Sequence, residues 1–385
     1  GLTGSGAFIE AEDYQRKGIT NIQVILRNVP GVYVREEDGF GNFPNISLRG
    51  GDGTRSEKVT IMEDGILTAP AAYSAPAAYY SPRAGRMSGL EILKGSSQVK
   101  YGPHTTGGVI NFLSTEIPSE ETFYTRNTYG TYNTLLSQSY YGDTVKTATG
   151  TFGYLLELFH HSSDGFRDID AGGGLSRSQN TGFRLIEPML KIFWEPDTAL
   201  RQRFEFKYGY QEFNSDESYI GLTEDDVRNN PDRRYSATRF DNMASEHHRS
   251  YLKYRVKPGE NLNFEFAAYY NQFSRNWAKV DDIVGGANSV RGALATGNGL
   301  EILQMTGPGS LIFRNNNRDY SAYGYQFQGD YSFAFGKVEH LLQLGARYHR
   351  DDVRRFQNDE QINLGETGGV TDRVVGAPGS QDNRY

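Results

Sequence analysis

The sequence contains no cysteine and no long apolar run, and each absence excludes a class of protein. Without cysteine there is no disulfide framework, no thiolate nucleophile and no cysteine-ligated metal. The longest stretch without a charged residue, Gly65–Pro82, is interrupted by Pro70, Pro76 and Pro82, and proline at this spacing prevents a membrane-spanning helix. If the chain crosses a membrane, it therefore does so with strands.

An excess of basic residues is also missing. The formal net charge is −7, and no basic face dominates, whereas a nucleic-acid partner requires one to neutralise phosphates. We therefore predict no nucleic-acid partner. The hydrophobic fraction of 37% is low for a soluble enzyme built around a core.

Motifs that carry enzyme chemistry are absent from the sequence as well. No GxSxG, P-loop or HExxH pattern occurs, and the glycine-rich segment 39–44 lacks the third glycine and the βαβ context of a dinucleotide site. Two histidine pairs, 160–161 and 247–248, cannot chelate a metal from within a strand, because neighbouring strand residues point to opposite faces. We predict a protein that is not an enzyme and needs no cofactor or metal.

Aromatic residues, in contrast, are abundant. They make up 13% of the chain, with 26 tyrosines and 22 phenylalanines. The aromatic girdles of a membrane β-barrel are one place where such a surplus is used.

Three turn-rich motifs occupy the first 120 residues. They are NVPGVYV (28–34), ISLRGGDGTRSEKVTIMEDGILTAP (46–70) and LEILKGSSQVKYGPHTTGGVINF (90–112). Short strand-like runs flank glycine, Asp-Gly and proline turns, and a short helix is predicted from about residue 20 to before Pro30. These motifs resemble the plug domain of TonB-dependent outer-membrane receptors. The resemblance implies a plug of residues 1–121 and a TonB-type energising protein on the periplasmic side, with no covalent chemistry.

After Pro118 the pattern changes to long strands with a period of two. Nine strands are predicted, at 122–130, 134–142, 149–162, 182–194, 200–213, 246–256, 262–278, 318–333 and 338–354. A soluble β-sandwich also alternates, but these strands are longer than is usual in globular sheets. Their connections are short at one end, at 195–198, 257–261 and 334–337, and long at the other, at 214–245, 279–316 and from 355 onward, as in outer-membrane barrels. The fold class is therefore predicted as all-β, with residues 122–385 forming part of a transmembrane barrel.

Nine strands cannot enclose a plug of this size, which requires about 22 strands. We therefore expect the sequence to be the N-terminal part of a longer protein. No TonB-contacting box is visible upstream of the plug motifs, and truncation before residue 1 is the interpretation that we favour.

Site residues follow from the same resemblance. It places Arg49 and Arg55 of the plug opposite carboxylates of the barrel wall, and Glu157, Glu205 and Glu265 are candidates for these carboxylates. Within the family, MEDGILTAPAAYSAP (62–76), KYGPHTTGGVINF (100–112) and YIGLTEDD (219–226) are most similar to ferric citrate receptors. That likeness makes Arg275 and Arg355 the expected ligand arginines, and it places Tyr79 and Tyr80 on a plug apex that faces the ligand.

Several alternatives remain open at this point. Ala75, Ala77 and Lys94 depart from what a citrate receptor would be expected to show, so a hydroxamate or catechol siderophore, cobalamin or an oligosaccharide could be the ligand. A passive barrel with a fixed plug is a further alternative. The interpretation that we favour is a monomeric transporter in outer-membrane lipid that imports a small anionic iron chelate.

Overall fold

The computed structural model describes residues 5–51, 53, 56, 58–68, 80–95, 101, 107–174, 179–376 and 381–384. Two large β-sheets dominate it, one with five strands and one with eleven. Among the described residues, none of the helices has the length and apolar character needed to cross a bilayer.

The N-terminal elements form a small mixed sheet with two short helices. Their bounds are β1 Ser5–Glu10, α1 Ala11–Gln15, α2 Ile22–Leu26, β2 Val32–Arg35, β3 Asn45–Leu48, β4 Val59–Glu63, β5 Ile66–Leu67, β6 Met87–Lys94 and β7 Gly108–Ser114. The sheet order is β1-β6-β7-β4-β5, with β4 and β7 parallel, while β2 and β3 pair separately. The main core of these elements includes Leu26, Ile46, Ile61, Leu90 and Phe112, and a smaller apolar cluster contains Met62, Leu93 and Val109.

The remaining elements form the barrel wall and its outer loops. Their bounds are β8 Thr122–Gly130, β9 Thr134–Thr147, β10 Gly150–Ser163, β11 Asp168–Ile169, β12 Gln179–Asn180, β13 Phe183–Pro196, β14 Arg201–Ser215, α3 Glu224–Asn229, β15 Arg233–Arg234, β16 Asn242–Gly259, β17 Leu262–Val284, α4 Val290–Thr296, α5 Leu300–Leu303, β18 Gly309–Phe335, β19 Val338–Leu364, β20 Val370–Val375 and β21 Gln381–Arg384. Its sheet follows the order β8-β9-β10-β13-β14-β16-β17-β18-β19-β20, with β21 also paired to β19. The sheet is an open, antiparallel part of a barrel.

All nine strands predicted from the alternation are confirmed, although β18 begins nine residues earlier and β19 ends ten residues later than predicted. The largest difference is in the loop expected at 279–316. Here β17 and β18 continue as a pair up to Val284 opposite Ser310, so that the loop shrinks to residues 285–308. The short turns predicted after Glu195, Lys257 and Ala334 lie at the opposite end of the sheet from this loop.

The predicted alternation of strand faces is also confirmed. In β14, Glu205, Lys207 and Gln211 are buried against the plug, whereas Phe204 and Tyr208 are exposed on the other face. A charged or polar row thus faces inwards and an aromatic row faces outwards, as expected of a strand with two chemically different environments.

Two features of the plug differ from expectation. Strand β1 was not anticipated; it forms the edge of the plug sheet by pairing with β6, from Ser5 opposite Lys94 to Glu10 opposite Gly89. The predicted helix begins as expected after Asn21, whose side-chain oxygen accepts a hydrogen bond from the Gln23 backbone N–H, but it ends at Leu26, earlier than its apolar pattern indicates.

Candidate functional site: the plug–wall interface and an arginine row

The tight turn between β4 and β5 is the part of the plug that reaches the wall. Asp64 and Gly65 both have positive φ, of 52° and 76°, which is the geometry of a two-residue hairpin turn and the reason for glycine at the second position. The Asp64 carboxylate accepts hydrogen bonds from the backbone N–H and the hydroxyl of Ser114, at 2.9 and 2.5 Å, which fixes the turn against β7. The sequence predicted this Asp-Gly turn but not its contacts.

A closed ring of four buried charges, which we call the ionic ring, joins this turn to the wall. Arg86 Nη2 lies 2.8 Å from Glu63 Oε2 and 2.8 Å from Glu187 Oε1. Arg249 binds the same two carboxylates, at 3.2 Å from Glu63 Oε2 and in close contact with Glu187 Oε1. Glu63 and Arg86 belong to the plug, whereas Glu187 and Arg249 belong to β13 and β16. Each arginine therefore bridges plug and wall.

Next to the ionic ring lies a second group of wall cations, Lys191, Lys207 and Lys253, which we call the lysine group. The Nζ atom of Lys207 lies 2.6 Å from Asp64 Oδ2, and that of Lys191 lies 3.7 Å from the same oxygen. Lys253 Nζ donates to the Asp64 backbone carbonyl at 2.6 Å. All three lysines are buried, so that three positive charges converge on one plug residue.

These cations determine the ionisation of the two plug carboxylates. Burial alone would raise the pKa of Glu63, but Arg86, Lys207 and Arg249 outweigh it and hold the pKa of this carboxyl well below its usual range. Asp64 behaves in the same way, because the lysine group more than offsets its burial and keeps its pKa well below the ordinary value. Because both pKa values are lower in the folded state, the stability that they contribute is present above pH of about 4 and is lost as the pH falls below it.

Towards the outer end of the wall, three arginines lie directly opposite one another on adjacent strands. Arg275 of β17 is paired with Arg318 of β18, and Arg318 is paired with Arg355 of β19. Residues directly opposite in an antiparallel sheet point to the same face, with Cβ atoms about 5 Å apart. Arg275 is buried on the inward face, so the three side chains form an inward row, which we call the arginine row.

The positions on either side of the arginine row differ in chemistry. Towards the short turns, the next inward positions on the three strands are Phe273, Tyr320 and Val353. Towards the long loops, they are Trp277, Asn316 and Gln357. The row is thus bordered by apolar side chains on one side and mainly by amides on the other. Like charges directly opposite in a sheet are destabilising, so this register does not serve stability.

Tyr80 connects this region with the ionic ring. Its ring centroid is 4.1 Å from that of His247, and the Arg249 guanidinium lies over its ring at 5.0 Å. His247 and Tyr80 also contact Phe273, which is two residues from Arg275. Tyr80 is only 2% exposed, so its side chain lies inside the plug–wall interface.

Two carboxyls of the outer loop between β14 and β16 lie away from bulk solvent: Asp241 is buried and Glu217 is half-buried. Asp241 accepts hydrogen bonds from the Val280 backbone N–H at 2.7 Å and from the Ser218 hydroxyl at 2.5 Å. Burial raises the pKa of Asp241 to about 7, despite the opposing effects of Ser218, Val280, Arg234 and Lys279. Burial likewise raises the pKa of Glu217 to about 7.

The raised pKa values of these two carboxyls predict that the stability of the folded outer loop depends on pH. Because their pKa values are higher in the folded state than in the unfolded state, the folded loop binds more protons between pH of about 4 and 7, and it loses stability as the pH rises through this range. We expect amides of residues 216–241 to exchange more slowly at pH 5 than at pH 8, after correction for intrinsic exchange. The double variant Asp241→Asn, Glu217→Gln should show little of this difference.

Asp225→Asn is the matched control, because Asp225 is exposed in the same loop. It should keep the wild-type pH dependence. An unchanged pH dependence in the double variant would contradict the assignment.

The residues predicted from the sequence lie in different environments. Arg275 and Arg355 belong to the arginine row. The strand register places Arg318, which was not among the predicted site residues, between them. Arg49 is exposed in the turn after β3 and takes no part in the ionic ring. Its contact with a wall carboxylate stays a prediction. Arg55 and Tyr79 lie outside the described residues.

The three wall carboxylates that the sequence analysis named as candidate partners of Arg49 and Arg55 form contacts with other residues. Glu157 accepts hydrogen bonds from the hydroxyl of Thr115 and the amide of Gln138, both at 2.7 Å. Glu205 accepts one from the Tyr251 hydroxyl at 2.9 Å, and Glu265 pairs with Arg255.

Sequence reasoning missed the members of the ionic ring and the lysine group. The available signal was their position in mid-strand on the face opposite the aromatic row, as for Glu187, Lys191 and Lys207. A charge at such a position indicates a polar partner inside the barrel.

The fold and this interface define a class of protein: a plug sheet held by buried ion pairs against the inner face of an antiparallel barrel wall. Residues 2–109 match the family model described as TonB-dependent Receptor Plug Domain. The N-terminal region therefore matches a TonB-dependent receptor plug domain, and the strands that follow it form an open part of an antiparallel barrel.

Solved structures with the same fold are receptors and transporters. The ferric citrate transporter FecA, in its unliganded form, matches with a TM-score of 0.70 and 20% identity, over 99% of this chain and 51% of that one. The siderophore receptor PiuA from Acinetobacter baumannii matches with a TM-score of 0.66 and 16% identity, over 96% and 48%. The pyoverdine outer membrane receptor FpvA from Pseudomonas aeruginosa matches with 0.65 and 12%, over 99% and 52%. The chain thus spans about half the length of these proteins.

Proposed function

We propose that the full-length protein is an outer-membrane active transporter that imports a ferric chelate and is energised by a TonB-type protein on the periplasmic side. In this proposal it acts as a monomer, with residues 1–121 as the plug and 122–385 as the first part of the barrel. The plug match to residues 2–109 and the receptor fold support the class. The expected ligand is a carboxylate chelate such as ferric citrate.

The arginine row is the observation that carries this choice of ligand. Guanidinium groups bind carboxylates through paired, charge-assisted hydrogen bonds, and three of them on one face match an anion with several carboxylates. The Nη1 atom of Arg275 donates to the Asn316 backbone carbonyl at 3.0 Å, which holds this side chain along the wall. A preformed arrangement of this kind lowers the entropy lost on binding.

The nearby aromatic residues do not favour a catechol or a sugar. Such ligands would stack on an open aromatic face. Phe273 and Trp277 flank Arg275 along β17 on its face, and both already have aromatic neighbours. Phe273 contacts Tyr320 at 5.7 Å, and Trp277 stacks with Phe43 at 5.0 Å and with Tyr219 at 4.5 Å between ring centroids. This arrangement supports the carboxylate ligand over the alternatives.

Ligand titration of the detergent-folded, full-length protein tests the proposal. Ferric citrate should quench intrinsic tryptophan and tyrosine fluorescence at lower concentrations than iron-free citrate, a ferric hydroxamate or a ferric catecholate. Binding of another chelate without a response to ferric citrate would leave the architecture in place and contradict the choice of ligand.

A further inference from the structure

The lysine group depends on the plug in an unusual way. Within the described residues, every hydrogen bond and ion pair of the Lys191 and Lys207 ammonium groups is made to residues 63–115. Lys191 Nζ donates to the Thr115 carbonyl at 2.8 Å, and Lys207 Nζ donates to the Ser114 hydroxyl at 2.9 Å. Among the described residues of the wall, Lys207 lies over the ring of Tyr251 at 5.7 Å and Lys191 interacts electrostatically with Glu205, but neither ammonium group makes a hydrogen bond or ion pair there. Both are buried, so the plug replaces the water that would otherwise solvate them.

Charge is divided unequally across this part of the interface. The plug contributes the carboxylates of Glu63 and Asp64, and the cations around them come from the wall, except for Arg86 of the plug. When this turn of the plug moves away, Lys191 and Lys207 lose their described anionic partners at the same time. A desolvated cation without a partner is costly, so the exposed wall will bind water or an anion.

The group that the wall binds in the resting state is itself a carboxylate. Asp64 Oδ2 lies within 2.6 Å of Lys207 Nζ, 3.7 Å of Lys191 Nζ and 3.4 Å of the Tyr251 hydroxyl. These side chains come from β13, β14 and β16. Lys207 donates to the carboxylate and Lys191 forms an ion pair with it, while the Tyr251 hydroxyl, which donates to Glu205 at 2.9 Å, lies beside it. The plug residue therefore occupies a site whose chemistry suits a carboxylate anion.

We propose that Lys191, Lys207, Lys253 and Tyr251 form a second, concealed anion-binding site on the barrel wall. Asp64 fills this site in the resting state, and a carboxylate-bearing anion binds there after the β4–β5 turn has been displaced. This inference rests on the proposed function only in naming the transported chelate as the natural anion. The site itself is defined by the wall residues.

The location of the concealed site suits an intermediate binding step, after an anion has left the arginine row and before it reaches the periplasmic end of the barrel. Lys207 is opposite Tyr251, and Tyr251 is opposite Tyr269, which is six residues from Arg275 along β17. At about 3.4 Å per residue, the concealed site lies about 20 Å along the strand from the arginine row, on the same inward face. An anion released from the arginine row would meet these lysines on its way to the periplasmic end.

Electrical recording can test the site without any iron chelate. The full-length protein is placed in a planar lipid bilayer, the plug is displaced reversibly with urea, and the block of potassium chloride current by iron-free citrate is measured. The double variant Lys191→Gln, Lys207→Gln should raise the half-blocking citrate concentration about fivefold or more, a modest factor because ion pairs in a water-filled lumen are weak. Lys207→Arg should remain close to wild type.

Lys257→Gln is the matched control, because this lysine lies at the periplasmic end of β16, on the same face and outside the site. It should leave the citrate block unchanged. Equal block in wild type and the double variant, or an equal loss in Lys257→Gln, would overturn the proposal. A protein that fails to bind ferric citrate in the fluorescence titration would still show the lysine-dependent block, so failure of the proposed function is distinguishable from failure of this site.

Discussion

Replacing Glu187 with alanine is expected to destabilise the plug–wall interface by about 3–5 kcal/mol, the usual cost of removing one partner from a buried ion pair. Glu187 is fully buried and binds both Arg86 and Arg249, so its loss leaves two buried arginines with Glu63 as their remaining partner in the ionic ring. Urea titration followed by hydrogen exchange of residues 59–68 and 84–94 in the full-length protein measures the effect.

Two further variants identify the cause of this loss. Glu120→Ala removes an exposed carboxylate near the start of β8 and should change stability by less than about 0.5 kcal/mol. The double variant Glu187→Met, Arg86→Met restores the balance of charge, because Arg249 keeps Glu63 as its partner. It should recover much of the stability, since an apolar pair of similar volume often replaces a buried ion pair without cost. A double variant that is as unstable as Glu187→Ala would contradict the ionic explanation.

Alanine at Arg275 is expected to weaken ferric citrate binding about 10- to 100-fold, because hydrogen bonds to charged groups contribute about 1.5–3 kcal/mol. Arg318→Ala and Arg355→Ala should weaken binding by similar factors, since the register places all three side chains on one face. Arg275→Lys should fall between wild type and alanine, because lysine keeps the charge but loses the planar pair of donors. Fluorescence titration measures the dissociation constants.

Arg228→Ala controls for the loss of positive charge. Arg228 lies in an outer loop and forms an exposed ion pair with Glu224. The substitution Arg228→Ala therefore removes one positive charge without affecting the arginine row. Its dissociation constant should stay within about twofold of wild type, as expected for an exposed, screened pair. If Arg228→Ala weakened binding as much as Arg275→Ala, long-range attraction rather than the row would account for the affinity.

The sequence alone determined the strands and their faces. A period of two fixes which side chains share a face, so the nine wall strands and the inward position of Glu205 and Lys207 could be predicted. The Asp64-Gly65 turn was predictable for a similar local reason, because its geometry depends on two adjacent residues. Motifs at the N-terminus indicated the plug.

Only the tertiary structure decided which residues meet. Periodicity assigns a face but not the register between β17 and β18, which a long loop separates, so neither the Arg275–Arg318 alignment nor the partners of Glu63 could be read from the sequence. The ionic ring joins residues that are more than 100 positions apart, such as Arg86 and Glu187. Their contact depends on how the plug packs against the wall. A buried charge is tolerated only when an opposite charge lies next to it, and here the two charges come from the plug and from the wall.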